Sequence, residues 1–190
     1  MKKNRLAIFD MDGTLFDTVR ANYESYKDAV IKTVGDCGIL LDDFKDKCFG
    51  KNYKVFLRDI FKVDDSLFET IHDAKCASYM DYIKEYVVEN TFLFDVICGL
   101  KDTYYIALLT TASKKNTYEL LDVFNKRDVF DLILTSEDVH KLKPDGEGFI
   151  KSMQYFGVDP CDTVIFDDSD DCLNTARELN IDCYKVIGEK

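Results

Sequence analysis

Asp10 and Asp12 stand two residues apart at the end of a short apolar run, LAIF, and Gly13 follows at once. Two carboxylates this close can divide their roles, one attacking as a nucleophile while the other gives and takes a proton. They can equally hold a hard cation through oxygen. Acidic turns are common, so DxDG gains meaning only from the whole octet, DMDGTLFD, Asp10 to Asp17. Other polar residues follow other apolar runs: Thr110 and Thr111 after YIALL, and the pair Asp167 and Asp168 after TVIF. Lys143 lies between the two, just before Pro144 in KLKPDGEGF.

Something must bring these positions together. The runs LAIF, YIALL, DLILT, TVIF and CYKVI are of strand length and lack a polar alternating face, as strands covered on both sides by helices do. Helical patterns separate the later ones, over Asn116 to Phe124, Gly148 to Phe156 and Leu173 to Leu179. Alternation of this kind predicts βαβ units and a doubly wound parallel α/β sheet of Rossmann-like type. Such sheets bind ligands at the carboxyl ends of their strands, where all of these polar residues fall, and Gly13 would let the chain turn away there.

A hundred residues separate Asp10 from Thr110, far more than one crossover helix needs. The excess has helical spacing. Tyr23, Tyr26, Val30 and Val34 form one stripe after the capping residues Asp17 and Thr18; Tyr53 to Phe61 form a second. Phe68, Ile71, Tyr79, Tyr82, Ile83 and Tyr86 form a third, and all three read as core. Residues 16–90 are therefore expected to be a helical cap subdomain, and 1–15 with 91–190 the Rossmann-like core. Gly50 to Lys54 interrupts the pattern and is expected to be a loop, carrying Lys51 and Lys54 on a chain of net charge −11.

With those residues in place, the chain resembles the haloacid dehalogenase-like superfamily, whose first motif is DxDGTxxD. The remaining family motifs match Thr110, Lys143 and the Asp167–Asp168 pair in order, over nearly the whole chain. The resemblance is to the branch of phosphoglycolate phosphatases and β-phosphoglucomutases with a helical cap after the first motif. It implies a magnesium-dependent phosphatase acting on a small phosphomonoester metabolite through an aspartyl-phosphate. Asp10 would be the nucleophile and Asp12 the acid/base, a residue that dehalogenases and phosphonate hydrolases of the family lack. Thr110, or Thr111 if the strand runs one residue longer, would bond a phosphoryl oxygen. Lys143 would neutralise the phosphoryl group and Asp10. Mg2+ would be held by Asp10, Asp168, Asp167 and the backbone carbonyl of Asp12, screening a dianion from a carboxylate nucleophile. Gly13, Lys51 and Lys54 are the candidate substrate contacts, the lysines from the cap, where specificity resides. A solvated basic loop pairing with nearby acids is the equal alternative for Lys51 and Lys54.

Rival readings differ at named residues. A β-phosphoglucomutase-like enzyme would carry an Arg in the cap loop, where FGKNYKVF, Phe49 to Phe56, has only lysines. A non-catalytic module on the same fold would be expected to have lost Asp10 or Asp12. A receiver domain would lack the insertion. In this chain Asp171 and Cys172 replace a further family Asp or Gly, and Asp171 reads as a helix N-terminal charge. His72 and His140 have no ligand spacing and read as structural.

Composition excludes other classes. With 25 basic and 36 acidic residues, the surface repels nucleic acid. No run approaches the ~20 apolar residues of a membrane span, and the amino terminus lacks a signal peptide's apolar stretch. Seven cysteines from Cys37 to Cys183, with no CxxC, suggest reduced thiols. The expectation is a cytoplasmic monomer or weak dimer.

Overall fold

The computed structural model describes residues 3–35 and 38–187; Cys37 lies outside them. In chain order come β1 (Arg5–Phe9), β2 (Phe16–Asp17), α1 (Val19–Val34), α2 (Leu41–Lys47), α3 (Tyr53–Asp59) and α4 (Phe68–Tyr86). Then follow β3 (Val88–Glu89), α5 (Thr91–Leu100), β4 (Tyr104–Leu109), α6 (Lys114–Val123), β5 (Leu132–Leu134), α7 (Glu147–Phe156), β6 (Thr163–Asp167), α8 (Asp170–Glu178) and β7 (Asp182–Lys185). Contacts divide the chain into two compact units, residues 1–17 with 89–190, and residues 18–88.

The first unit is a five-stranded parallel sheet of order β5-β4-β1-β6-β7 with helices between its strands. The five apolar runs are its strands. Leu6, Ile8, Ala107, Leu109 and Ile165 meet Phe149 and Met153 of α7 and Leu173 and Ala176 of α8 in one core. Helix α7 packs closely because it carries Gly148: a Cβ there would stand 2.7 Å from Leu109 Cδ1. Register then decides where chemistry can occur. Phe9 of β1 pairs with Leu108 of β4 and with Phe166 of β6, so three central strands end at one level. The residues that follow are Asp10, Leu109 and then Thr110, and Asp167. Successive strands fill one side of β1 with β4 and β5, then the other with β6 and β7, which puts the reversal of winding beside β1.

The second unit is helical and aromatic. Phe44 of α2 lies among Tyr23, Tyr26, Phe56 and Phe61, with ring centroids 5.7–6.5 Å from its own. Three expectations for this stretch need correction. Val34 is exposed in the last turn of α1, beyond the reach of the core. Tyr82 and Tyr86 leave the stripe because both have polar partners: Tyr82 donates to the Asp28 carboxylate, and the Arg20 guanidinium lies 4.5 Å from the Tyr86 ring. Thr18 holds the N-cap position of α1, but its side chain makes no capping bond. The expected loop is also shorter at its end. Asn52 caps α3 by accepting from Lys54 N–H at 2.9 Å, which draws Tyr53 and Lys54 into the first helical turn. Among the described residues, no helix is long and apolar enough to cross a membrane.

Candidate active site

Lys143 is the centre of the site. Its ammonium donates to Asp10 Oδ1 at 2.5 Å and to Asp167 Oδ2 at 2.8 Å, and all three side chains are buried. Asp10 leaves β1 with its own N–H bonded to Phe166 O, and Asp167 closes β6 with Oδ1 accepting from Ser169 N–H. Lys143 arrives from the segment before α7. Asp168 sits beside them, its Oδ1 accepting from Thr14 Oγ1 at 3.4 Å.

The loop between β1 and β2 is folded tightly over itself. Gly13 N–H donates to Phe16 O at 2.8 Å, and Leu15 and Phe16 N–H both reach Met11 O. Gly13 has φ +87°, and a Cβ at that position would lie 2.6 Å from Asp168 Oδ2. Both facts require glycine: the left-handed backbone, and the carboxylate that occupies the side-chain space. Asp12 faces β4, its Oδ2 accepting from the Thr110 hydroxyl at 3.5 Å, while that hydroxyl accepts from Ala112 N–H. Thr110 is buried and its N–H bonds Leu134 O, whereas Thr111 is exposed one residue on.

Charge in this site is unbalanced. Burial, against the opposing pull of Lys143 and with Asp167 and Asp12 adding to it, pushes the Asp10 carboxyl up to about 7. Burial and Asp167 also raise Asp168. Burial alone would lower Lys143, but Asp10 and Asp167 overcome it and hold the ammonium above its ordinary range. One ammonium among three carboxylates leaves room for a further cation. Oxygens of Asp10, Asp167 and Asp168 lie within 4.8 Å of one another, a hard donor set of the kind that suits Mg2+. The Asp12 carboxylate is not part of that set.

The remaining candidates belong to the helical unit, to α8 and to the segment before α7. Lys51 is exposed in the helical unit, and Lys54 pairs there with Glu69 at 2.7 Å. Asp171 lies in the first turn of α8, where a negative charge complements the helix dipole, and Cys172 is buried behind it. His72 accepts or donates at 2.9 Å with Tyr26 OH and stacks on Tyr53, and His140 donates its N–H to Glu147. Three further residues bear on the site without a chemical motif to mark them. Thr14, inside the octet DMDGTLFD, touches Asp168. Ser169 caps α8 and donates to Asp167; a Ser after an acidic pair and before a helix is a legible signal. Asn90 caps α5 and bonds the Asp10–Phe16 loop; an Asn before an apolar run is a signal for a cap alone.

A parallel sheet whose strand ends gather two aspartates, a threonine, a buried lysine and an acidic pair suits a hydrolase that works through carboxylates. Residues 7–186 match the model of the haloacid dehalogenase-like hydrolase family, and the chain belongs to that family. It is 25% identical over 188 residues to a phosphorylated carbohydrates phosphatase of Thermotoga maritima, covering 95% of this chain and 84% of that one. It is 22% identical to a phosphoglycolate phosphatase of Aquifex aeolicus, covering 87% and 76%. The crystal structure of CbbY from Rhodobacter sphaeroides in complex with phosphate has the same fold, with TM-score 0.81 at 23% identity over 97% of this chain and 87% of that one.

Proposed function

We propose that this chain is a magnesium-dependent phosphatase that hydrolyses a small phosphomonoester through an aspartyl-phosphate. The observation that carries the reading is the buried Lys143 ammonium bridging Asp10 and Asp167, with Asp168 completing a set of hard oxygen donors. An ammonium in that place both holds the Asp10 carboxylate against burial and presents positive charge to an incoming phosphoryl group. When bound, Mg2+ would screen the phosphate dianion and act as a Lewis acid; Asp10, Asp167, Asp168 and the Asp12 carbonyl would hold it.

Asp10 then attacks phosphorus, and the bond to the ester oxygen breaks with its electron pair. Asp12 delivers its proton to that leaving oxygen, which departs as an alcohol. Asp12, now a carboxylate, takes a proton from water as the water attacks the phosphorus of the aspartyl-phosphate. The Asp10–phosphorus link breaks, releasing inorganic phosphate and restoring both carboxyl groups. In this reading the Thr110 hydroxyl donates to a phosphoryl oxygen, and Gly13 leaves the space that Asp168 occupies. Splitting one displacement into two lowers each barrier.

The Thermotoga maritima relative is named for phosphorylated carbohydrates, and a substrate of that class fits a site with one strong phosphate pole. Lys54 is satisfied by Glu69, which favours the solvated reading for it, and leaves Lys51 and Thr111 as the candidate substrate contacts to test. The primary experiment follows hydrolysis of a generic aryl phosphate with magnesium and with excess chelator. Activity untouched by chelation would sink the metal assignment. A mutase is separated by phosphorus NMR on glucose 1-phosphate, with and without a sugar bisphosphate: inorganic phosphate is expected, without dependence on bisphosphate.

A further inference from the structure

We propose that Asn90 is a positioning residue for the acidic site, acting through Thr14 on Asp168; this rests on the metal-dependent reading above. Asn90 is the first residue after β3 and caps α5, its Oδ1 accepting from Leu93 N–H at 3.2 Å. A cap needs only that one acceptor. Asn90 uses its other two groups in a different place. Its Nδ2 donates to Thr14 O at 3.2 Å, and its own N–H donates to Leu15 O at 2.9 Å. Both acceptors belong to the loop that carries Asp10 and Asp12, some seventy-five residues earlier in the chain.

The next link is short. Thr14, held at its carbonyl by Asn90, donates its hydroxyl to Asp168 Oδ1 at 3.4 Å. Asp168 Oδ2 lies in the space that a Gly13 side chain would fill. The carboxylate is therefore bracketed by two consecutive loop residues, and its position depends on where that loop is held. Asn90 fixes the loop at the Thr14 and Leu15 carbonyls, so the amide serves as a fastener between the start of α5 and a candidate metal ligand. Groups that orient metal ligands at one remove typically change affinity or activity ~10–100-fold when removed.

The chemistry of the amide allows the two roles to be separated. Asn90→Asp and Asn90→Ser each keep an N-cap acceptor for Leu93 N–H, and each loses the donor to Thr14. Both variants and wild type are titrated with Mn2+ by calorimetry, assayed for kcat and KM on an aryl phosphate, and melted. The expected result is a melting midpoint close to wild type, Mn2+ affinity weaker by ~10-fold or more, and kcat reduced with KM little changed. Thr14→Val should reproduce the loss of Mn2+ affinity, and Thr14→Ser should restore it. Wild-type affinity and kcat in both Asn90 variants would overturn the inference, as would losses that simply follow a fallen melting midpoint. Wild-type protein that neither binds Mn2+ nor hydrolyses the ester would bring down the proposed function instead, and this inference with it.

Discussion

Polar groups are buried in both units, but they are satisfied in unlike ways. In the α/β unit, the Lys143 ammonium donates to the carboxyl groups of Asp10 and Asp167, and Asp167 also accepts from a backbone N–H. In the helical unit, the buried Lys75 ammonium lies 3.3 Å from the centre of the Tyr79 ring, and the Tyr26 hydroxyl faces His72 while its ring sits against Phe56. Ionic satisfaction depends on the count of charges, so one neutralised side chain alters reactivity and stability together. Aromatic satisfaction depends on volume and contact, so a lost ring costs stability where it stands.

The largest expected effect uses the charge count. Asp10→Asn removes the proposed nucleophile and should lower turnover of an aryl phosphate by at least ~10⁴-fold, as loss of a covalent nucleophile does. Its fold should survive, because burial already works against ionisation of Asp10. Near wild-type turnover in a folded sample would end the covalent mechanism. Lys143→Met removes the single ammonium and leaves the carboxylates facing one another. Breaking a buried ion cluster from one side costs ~3–5 kcal/mol. Magnesium should return part of that loss, since a ligand that binds only the folded state stabilises it. Urea midpoints with and without magnesium measure both numbers, and a Lys143→Met protein as stable as wild type would contradict the charge argument.

The next effect belongs to the other unit. Phe44 is almost wholly buried at the middle of the aromatic cluster, and Phe44→Ala should cost ~3–5 kcal/mol. Because the contacts of Phe44 lie within residues 18–88, amide hydrogen exchange should accelerate there before it does in the sheet. Uniform acceleration through both units would show that they open as one, and would erase the distinction drawn from their interiors.

The same distinction explains what could be read from the sequence. Strands and their order of polar endings were legible because the chemistry demands specific side chains at specific ends: Asp10, Thr110, Lys143, Asp167 and Asp168 are each where an apolar run stops or a loop returns to it. Parallel register then aligned them, which spacing along the chain cannot reveal by itself. The helical stretch gave its faces but not their edges. Tyr82 and Tyr86 have helical spacing with Tyr79, yet a tyrosine at the rim turns its hydroxyl to Asp28 or its ring to Arg20, and periodicity does not distinguish rim from centre. Asn52 shows the same limit at a helix start. Asn90 was least legible, because its work is done on a loop distant in sequence.

The smallest effect tests the comparison through pH. Burial, with Lys75 nearby and Lys54 adding slightly, holds the His72 imidazole below its ordinary value; Glu69 and Asp73 pull the other way and are outweighed. A histidine that is harder to protonate when folded leaves the unfolded chain binding more protons. Stability of the helical unit therefore falls as pH drops through ~6.5, the unfolded value, and is level above it. Asp10 has the opposite sign. Its carboxyl, raised to about 7 by burial against Lys143, binds its proton more readily when folded, so acidification from about 7 toward 4 favours the metal-free α/β unit. Glu137, Asp138 and Glu147 are held below their ordinary values and oppose this only near the lower end of that window. Urea midpoints between pH 5.5 and 7.5 are to be compared for wild type, His72→Gln and Asp10→Asn, all without metal. His72→Gln should lose the acid-side fall of the helical unit, and Asp10→Asn should lose part of the acid-side gain of the sheet, Asp168, also raised by burial, keeping the rest. The effect is small because His72 is only half-buried and solvent screens its neighbours. Parallel profiles for wild type and His72→Gln would mean that the Tyr26–His72–Tyr53 contact is indifferent to charge, and that the aromatic unit tolerates a cation as readily as Lys75 suggests.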